Sequence, residues 1–380
     1  MSDPVDTAGL ERAAYVHNPF CHRRCPYCDF AVVDMARESS PIDRYVDALI
    51  SEIQMEPPWG PLHAVNLGGG TPSVLESGKI KSVLGALEDR FGLVSDAEVS
   101  IEANPEDVDS RYATELREAG VNRMSLGVQS FDPEVLQALG RNHDPDQAID
   151  AVANARAAGM RTTNIDLILG TPGESLDSWE RSVGIARDLD TEHLSAYALT
   201  VELGTELSRA VQAGAAAPDG DDQADKYEML TEALSSRLVH YEVSNWAKPG
   251  HECRYNLTTW AQGEYIAFGL GAHGHRDGVR TRNARRLDAY LDQVEQGTRP
   301  ELGSEQLDEW GREKERVFLG LRRSAGVIVG DAGTVLLASM EGRRFVDAGI
   351  VSLVGDRLVI MKPLLTDAVT REVLALELET

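Results

Sequence analysis

The stretch that decides the fold runs from Tyr15 to Phe30 and reads YVHNPFCHRRCPYCDF. Its three cysteines, Cys21, Cys25 and Cys28, have the spacing C-x3-C-x2-C. Three thiolates on one short loop can ligate three irons of a 4Fe–4S cluster, because soft sulfur ligands suit iron–sulfur chemistry. No fourth cysteine is close in the sequence, so the motif predicts a cluster with one iron open to a further ligand.

Two other interpretations of these cysteines remain open. A structural zinc site needs four ligands, and His17 or His22 could complete such a set. A disulfide is disfavoured because the chain has only four cysteines and its N-terminus does not resemble a secretory signal. The aromatic and proline residues between the cysteines favour the cluster.

Length and composition indicate an acidic globular protein of two domains. The chain has 380 residues, of which 42% are hydrophobic and 26% charged. No stretch approaches the roughly 18 apolar residues that cross a membrane. We therefore expect no stable membrane insertion and a location in the reducing cytoplasm. The formal net charge of −25 argues against nucleic-acid binding, which depends on Lys and Arg to neutralise phosphates.

Short apolar runs alternate with helical patterns from residue 14 to about residue 200. Repeated strand–helix units with right-handed crossovers imply a parallel sheet, either an open Rossmann-like sheet or a partial (β/α)6 barrel. The predicted strands are Ala14–His17, Ala64–Leu67, Glu98–Glu102, Arg123–Val128, Thr163–Leu169 and Leu194–Leu199. The predicted helices between them are Pro41–Glu56, Ser77–Arg90, Ser110–Ala119, Pro133–Leu139, Asp146–Ala158 and Leu176–Leu189.

Chemically active residues lie at the carboxyl ends of these strands, where a barrel enzyme has its site. One polar residue at a strand end would be unremarkable, but a residue of this kind accompanies each strand. In chain order they are Cys21, Gly68–Pro72, Glu102, Gln129, Asp166 and Tyr197. We therefore predict an α/β fold built on a partial (β/α)6 TIM-like barrel.

A smaller unit is predicted from Ser304 onward. Helices at Glu313–Arg322, Leu337–Asp347 and Leu365–Leu376 flank a hairpin around Gly355. This order predicts a small C-terminal winged-helix-like α+β domain. We divide the chain into a disordered tail (1–13), a core barrel (14–240), an extension and connector (241–303) and a C-terminal domain (304–380).

Six ordered motifs resemble the radical S-adenosylmethionine (SAM) superfamily and, within it, the HemN/HemW family. They are YVHNPFCHRRCPYCDF, NLGGGTPS, IEANPEDV, MSLGVQSF, LGRNH and NIDLILGTPGES. The resemblance extends from residue 13 to about residue 275, and the C-terminal domain also resembles that of the family. It implies a radical SAM barrel in which Cys21, Cys25 and Cys28 ligate the cluster and the open iron binds SAM.

The resemblance also implies which residues bind cofactors. The residues that would hold SAM on the cluster are Tyr15, Gly69, Gly70, Thr71 and Glu102. The positions that in HemN line a second SAM site correspond to Tyr27, Gln129, Arg141 and Asp166. From the sequence alone, Arg141 could equally form a surface ion pair with Asp144, and Glu102 could cap the helix start near Pro105.

Two features resemble the HemW-type members, which are haem chaperones. Phe30 stands where HemN-type enzymes have a fourth cysteine, and only fourteen residues precede Tyr15. The His-Asn-x-x-Tyr-Trp run of HemW-type proteins corresponds here to residues 255–260, where Tyr255 stands in place of the histidine and Thr259 in place of the tyrosine. The possible haem region therefore comprises His251, Cys253, Tyr255, Trp260 and His273. The residues that could be axial ligands are His251, Cys253, His273 and the nearby His275.

Three functional hypotheses follow. The first is a HemW-like haem chaperone that binds a 4Fe–4S cluster, SAM and haem or another tetrapyrrole, and delivers haem to acceptor proteins. The second is a catalytic radical SAM enzyme, of the coproporphyrinogen III dehydrogenase, methyltransferase or cyclopropanase type, which acts through a 5′-deoxyadenosyl radical. For both we expect a reductant such as flavodoxin or ferredoxin. The third is a non-catalytic iron–sulfur or zinc protein.

Overall fold

The computed structural model describes residues 11–38 and 40–377. Residues 1–10 of the predicted tail lie outside that part of the chain, and the first strand begins at Arg12. Up to residue 198 the elements are β1 (Arg12–Asn18), β2 (Phe20–Cys21), β3 (Val33–Asp34), α1 (Ile42–Met55), β4 (Leu62–Gly69), α2 (Ser77–Phe91), β5 (Leu93–Ala103), α3 (Ser110–Glu118), β6 (Arg123–Gln129), α4 (Pro133–Ala138), α5 (Pro145–Ala157), β7 (Thr162–Leu169), α6 (Leu176–Asp188) and β8 (His193–Ala198).

The second half of the chain adds shorter elements. In order they are α7 (Glu206–Gln212), α8 (Gly220–Leu234), β9 (Val239–Glu242), β10 (Asn245–Ala247), α9 (Arg254–Trp260), β11 (Glu264–Phe268), β12 (His273–Arg276), β13 (Val279–Asn283), α10 (Leu287–Glu295), β14 (Glu301–Gln306), α11 (Glu309–Gly320), β15 (Val327–Ile328), α12 (Gly330–Ala338), α13 (Met340–Asp347), β16 (Val351–Val354), β17 (Arg357–Ile360) and α14 (Thr366–Ala375).

Six parallel strands form the centre of the main sheet and confirm the predicted α/β class. β1, β4, β5, β6, β7 and β8 are neighbours in chain order, and helices connect each strand to the next. Each of the six predicted strands overlaps one of them. The side chains of β4 and β7 are buried almost throughout, as parallel strands covered by helices require. The strand order is open, running from β14 to β9 across the described residues.

Helix caps explain why these crossover helices begin and end where the sequence predicted. The Asp132 side chain accepts hydrogen bonds from the first turn of α4, and Asp144 forms a capping box with Gln147 at the start of α5. Gly120 and Gly159 follow α3 and α5 with positive φ angles of 107° and 79°. These caps account for the starts of α4 and α5 and for the ends of α3 and α5.

The sheet continues beyond the six strands on both sides. β11 lies parallel to β1 on its free side, and β12, β13 and β14 follow as antiparallel strands. At the other end, β10 and β9 extend β8. The segment predicted as extension and connector thus contributes strands. The side chains of β14 are mostly exposed, so its sequence has no apolar alternation to reveal it.

The C-terminal unit has its own core, built from Val317, Leu321, Leu336, Leu358 and Val369, among others. A three-stranded antiparallel sheet of β15, β17 and β16 packs with helices α11 to α14, as the predicted winged-helix-like α+β domain requires. The single helix expected at 337–347 is two helices, because Ser339 caps α13 through its hydroxyl. The boundaries between the four predicted segments of the chain remain predictions.

No helix within the described ranges is both long and apolar enough to cross a bilayer.

Candidate functional site

The cysteine loop lies at the carboxyl end of β1. Cys21 ends β2 and is buried, whereas Cys25 and Cys28 are half-buried in the loop that follows. The Cys28 N–H donates to the Cys25 carbonyl across 3.2 Å and closes a tight turn. All three thiols line one cavity of about 670 Å³. We call the carboxyl ends of the six parallel strands, together with this loop, the rim.

The glycine run after β4 packs its backbone directly against the cysteine loop. The Gly70 N–H donates to the Asn18 carbonyl across 2.7 Å, and the Thr71 N–H donates to the Phe20 carbonyl across 2.9 Å. A Cβ atom at Gly70 would lie 2.9 Å from the Cys21 sulfur and as close to two backbone carbonyls. Only glycine fits here, so the sequence GGGTP is part of the cysteine site rather than an ordinary turn.

The three cysteines line one cavity, where each thiolate could bind a different iron of a polynuclear cluster. In the described part of the chain no three His, Cys, Asp or Glu side chains converge closely enough to hold a single ion. A 4Fe–4S cluster needs no such convergence, because each thiolate binds a different iron. Burial raises the pKa of the Cys21 thiol to about 11, so a bound metal must displace this proton.

Two side chains donate hydrogen bonds to the sulfurs. The Thr71 hydroxyl lies 3.5 Å from Cys21 Sγ, and Arg141 Nη1 lies 3.6 Å from Cys25 Sγ. Arg141 also donates to Asn104 Oδ1 at 2.6 Å and to the Gly127 carbonyl at 2.9 Å. It is therefore a residue of the cavity wall, and the surface pair with Asp144 is wrong.

Two carboxylates face the cavity from β5 and β7. Burial, and then the charge of Asp166, raise the pKa of Glu102 to about 7. Burial also raises the pKa of Asp166, opposed by hydrogen bonds from Ser125, Ser195 and Asn164. The Gly69 N–H donates to Glu102 Oε2 across 3.3 Å. Two coupled carboxylates in one cavity can accept hydrogen bonds from a polar ligand and attract its positive charge.

The structure brings most of the expected cofactor residues together at the rim. Eight of the nine line the same cavity as the cysteines: Tyr27, Gly69, Gly70, Thr71, Glu102, Gln129, Arg141 and Asp166. Gln129 has a positive φ of 66°, a costly conformation for a residue other than glycine. Tyr15 does not line the cavity; it is stacked on Tyr255 with ring centroids 5.8 Å apart.

The opposite end of the barrel is closed by residues 251–260, which we call the floor. The His251 carbonyl accepts from Arg123 Nη1 at 2.9 Å, and the Arg254 N–H donates to Glu98 at 2.9 Å. Helix α9 packs against β1, β4 and β11. The cavity extends from the cysteine loop down to Cys253 and Asn256 on this floor.

The possible haem residues occupy different places. Cys253 faces the cavity from the floor, and His251 Nδ1 lies 2.8 Å from the Thr162 hydroxyl at the start of β7. Trp260 contacts Arg322, whose guanidinium carbon is 4.7 Å from the ring centroid. Exposed His273 begins β12. The structure does not gather these residues into one pocket.

Sequence reasoning missed a set of buried polar residues inside the barrel. His193, Ser195 and Tyr241 form hydrogen bonds with Asn164 or with one another. A signal existed in β8, where His193 and Ser195 alternate with apolar residues. On a strand covered by helices, that alternation indicates a polar interior. Tyr241 could not be found in this way, because its partner lies on another strand.

Comparisons with known proteins agree with this geometry. Residues 15–184 match the Radical SAM superfamily. The protein named heme chaperone HemW of Mycobacterium tuberculosis is 41% identical over 98% of this chain and 98% of its own length. HemW of Bacillus subtilis is 36% identical over 83% of this chain and 84% of its own length.

A solved structure shares the whole fold. HemN of Escherichia coli, described as a coproporphyrinogen III oxidase and radical SAM enzyme, superposes with a TM-score of 0.80 at 22% identity. The match covers 97% of this chain and 92% of that one. From its motifs, its fold and its full-length relatives, the chain belongs to the HemW family of the radical SAM superfamily.

Proposed function

We propose that this protein is a haem chaperone that holds a 4Fe–4S cluster and SAM at the rim, binds haem and passes it to acceptor proteins. The observation that supports the proposal best is the similarity to heme chaperone HemW over 98% of both chains. The cysteine loop and the residues expected to bind SAM line one cavity in this chain, which is consistent with that function.

Different residues of the rim would bind the cluster and SAM. Cys21, Cys25 and Cys28 would hold the cluster, which when bound supplies a one-electron reductant for SAM. Thr71 and Arg141 donate to the ligand sulfurs, and such hydrogen bonds make the cluster easier to reduce. The glycine run lets the backbone approach SAM, while Glu102 and Asp166 would accept its amine and hydroxyl hydrogens.

Among the candidate haem ligands, His273 has the most suitable surroundings. Partial desolvation, and then the charges of Arg285 and Arg282, lower the pKa of the exposed His273, which keeps its imidazole neutral and able to bind iron. Arg282 is the cross-strand partner of His273, and both arginines could pair with haem propionates. Burial raises the pKa of the Cys253 thiol to about 12, which disfavours the thiolate that iron needs.

An anaerobic haem titration of the reconstituted protein, followed by its Soret band, tests the proposal. We expect saturation at about one haem per chain with one axial protein ligand. His273→Ala should shift or abolish the band, whereas Cys253→Ala should leave it unchanged. Absence of saturable binding by protein with an intact cluster would contradict the chaperone function.

A second candidate function is catalysis of a radical SAM reaction. The observation that favours it is the depth of the cavity, which continues past the cysteines to Cys253 and Asn256 on the floor and leaves room for a substrate. The test is 5′-deoxyadenosine formation under dithionite, with and without an added tetrapyrrole. Stoichiometric consumption of a tetrapyrrole would favour catalysis over transport.

We also propose a cytoplasmic location and an electron-transfer protein as reductant. Arg23 and Arg24 are exposed on the cysteine loop beside Phe30, which is 58% exposed. A local positive charge next to an apolar ring suits an acidic protein such as a flavodoxin or ferredoxin. Reversal of both charges, in a double variant R23E/R24E, should slow reduction of the cluster by such a protein but not by dithionite.

A further inference from the structure

A column of hydrogen bonds runs through the barrel interior from the floor to Asp166. The Cys253 N–H donates to the Tyr241 hydroxyl at 3.2 Å, and that hydroxyl lies 2.8 Å from His193 Nε2. His193 Nδ1 lies 2.6 Å from Asn164 Oδ1, and Asn164 Nδ2 donates to Asp166 Oδ1 at 2.8 Å. The Tyr241, His193 and Asn164 side chains are each at most 4% exposed.

The direction of each bond in the column is fixed by chemistry. An ionised carboxylate only accepts, so the amide nitrogen of Asn164 must face Asp166 and its oxygen must face His193. That oxygen also only accepts, so His193 Nδ1 carries the hydrogen. Burial lowers the pKa of His193 well below its ordinary value, so the ring is neutral and Nε2 accepts from the Tyr241 hydroxyl.

Asp166 accepts hydrogen bonds from Ser125, Ser195 and Asn164. The Ser125 hydroxyl donates to Oδ2 at 2.8 Å, and Asn164 occupies Oδ1. Asp166 also lines the cavity, so its remaining acceptor positions are available to a ligand. Hydrogen-bond donors to a buried carboxylate favour its charged form against the cost of burial.

The ionisable groups that face Asp166 come from three neighbouring strands. Glu102 on β5 is negative when ionised, and Arg123 on β6 is positive. Tyr197 and His193 on β8 are neutral, because burial raises the pKa of the tyrosine and lowers that of the histidine. Glu102 and Arg123 oppose each other, so the charge of Asp166 depends strongly on its hydrogen-bond donors, of which Asn164 is one.

We propose that Asn164, held in place by His193 and Tyr241, is a positioning residue for SAM because it fixes the orientation and the charge of Asp166. The inference rests on the proposed function in one respect, namely that Asp166 accepts a hydrogen bond from SAM. It also connects the floor to the rim, since the column begins at the backbone of Cys253. No residue of the column other than Asp166 needs to touch SAM.

The test is the dissociation constant of SAM for the anaerobically reconstituted protein, measured from pH 6 to pH 9. In Asn164→Leu the side-chain volume is kept while the donor is lost, so protonated Asp166 should persist to higher pH. We expect roughly tenfold weaker SAM binding at pH 7, as loss of a hydrogen bond to a charged group implies, with recovery toward the unsubstituted value at pH 9. Ser125→Ala should show the same trend more weakly.

Asn283→Leu is a matched control, because Asn283 also donates from a buried amide to a buried carboxylate, Glu52, at 2.6 Å. It should lower stability without changing the pH profile of SAM binding. If Asn164→Leu folds poorly, His193→Asn, which can keep the donor to Asn164, and Tyr241→Phe give a graded series at the other end of the column.

The outcomes separate this inference from the proposed function. Equal weakening at every pH, or none, in folded Asn164→Leu would overturn the positioning role while leaving the haem titration unaffected. Failure of the unsubstituted protein to bind SAM at all would contradict both proposals. A normal pH profile with no haem binding would contradict the chaperone function alone.

Discussion

The rim and the floor are the two ends of one barrel, yet they differ in how their residues are constrained. At the rim, backbone hydrogen bonds join the glycine run to the cysteine loop, and a Cβ at Gly70 would collide with it. On the floor, the Cys253 N–H donates to the Tyr241 hydroxyl, and the Tyr255 ring stacks on Tyr15. A backbone-constrained site tolerates few sequences, whereas a packed floor tolerates several.

The largest expected difference between the two ends is in cluster binding. Cys21→Ala removes a ligand and should abolish the visible iron–sulfur absorption and most of the bound iron. Cys253→Ala, a substitution of the same kind on the floor, should retain both. Iron and sulfide analysis after anaerobic reconstitution checks the pair. A cluster that survives in Cys21→Ala would show that the rim assignment is wrong.

The close approach of the glycine run predicts the next largest effect. Gly70→Ala places a methyl group within 2.9 Å of the Cys21 sulfur and two carbonyls, so we expect a several-fold loss of reconstituted cluster. Gly78→Ala on α2 has open space around it and should stabilise the protein by about 0.5–1 kcal/mol. Equal cluster yields from both variants would refute the geometric argument.

A third prediction concerns the pH dependence of stability at the rim. The pKa of Glu102 in the folded chain is about 7, above its ordinary value of 4.5. The folded state therefore holds this proton more tightly, and the free energy of unfolding falls as pH rises from about 4.5 to about 7. Glu102→Gln should remove that loss, so the SAM-free variant should be more stable at pH 8 by up to roughly 3 kcal/mol.

Urea unfolding of both proteins at pH 5 and pH 8 measures this difference. At pH 5 the two stabilities should be nearly equal, because Glu102 is then mostly protonated in the folded state. SAM binding by the variant should weaken at the same time. This result would show that Glu102 favours SAM binding at a cost in the stability of the SAM-free protein. A stability gain of the same size at both pH values would point to packing instead.

The smallest expected effect is at the edge of the floor. Arg322 of the C-terminal unit lies over the Trp260 ring and forms an ion pair with Asp367 at 3.2 Å. Arg322→Met should cost about 1 kcal/mol of unfolding free energy. Arg344→Met, which removes an exposed arginine that lies 3.9 Å from Glu341, should cost less than about 0.5 kcal/mol. Reversal of that order would mean that the floor does not depend on the C-terminal unit.

The elements that the sequence could predict are those whose residues are constrained by burial or by the backbone. The strands of the parallel sheet are buried on both faces, so β4 and β7 read as apolar runs and were predicted within a few residues. β13 and β14 pair at the exposed end of the sheet. Their side chains are mostly polar, so the sequence there lacks the apolar pattern that predicts a strand. The cysteine and glycine motifs predicted their own neighbourhood because their spacing is dictated by the backbone.

The polar column could not be predicted, since it depends on which strands meet across the interior. Tyr241 on β9 reaches His193 on β8 only because β10 lies between those strands and places β9 at the end of the sheet. The resemblance to a family added residue roles that spacing alone does not give. It could not say where His251 or His273 would lie, because both are on segments outside the central strands.

The position of β1 in the sheet has a consequence for how the protein is made. β1 lies between β4, which follows it closely in the chain, and β11, which is translated more than half a chain length later. During translation, one edge of β1 therefore remains unpaired until β11 has left the ribosome. Pairing between such distant segments is slow and leaves an open strand edge exposed. We expect cluster insertion to follow completion of the chain, so that iron is delivered to a finished barrel rather than to a nascent one.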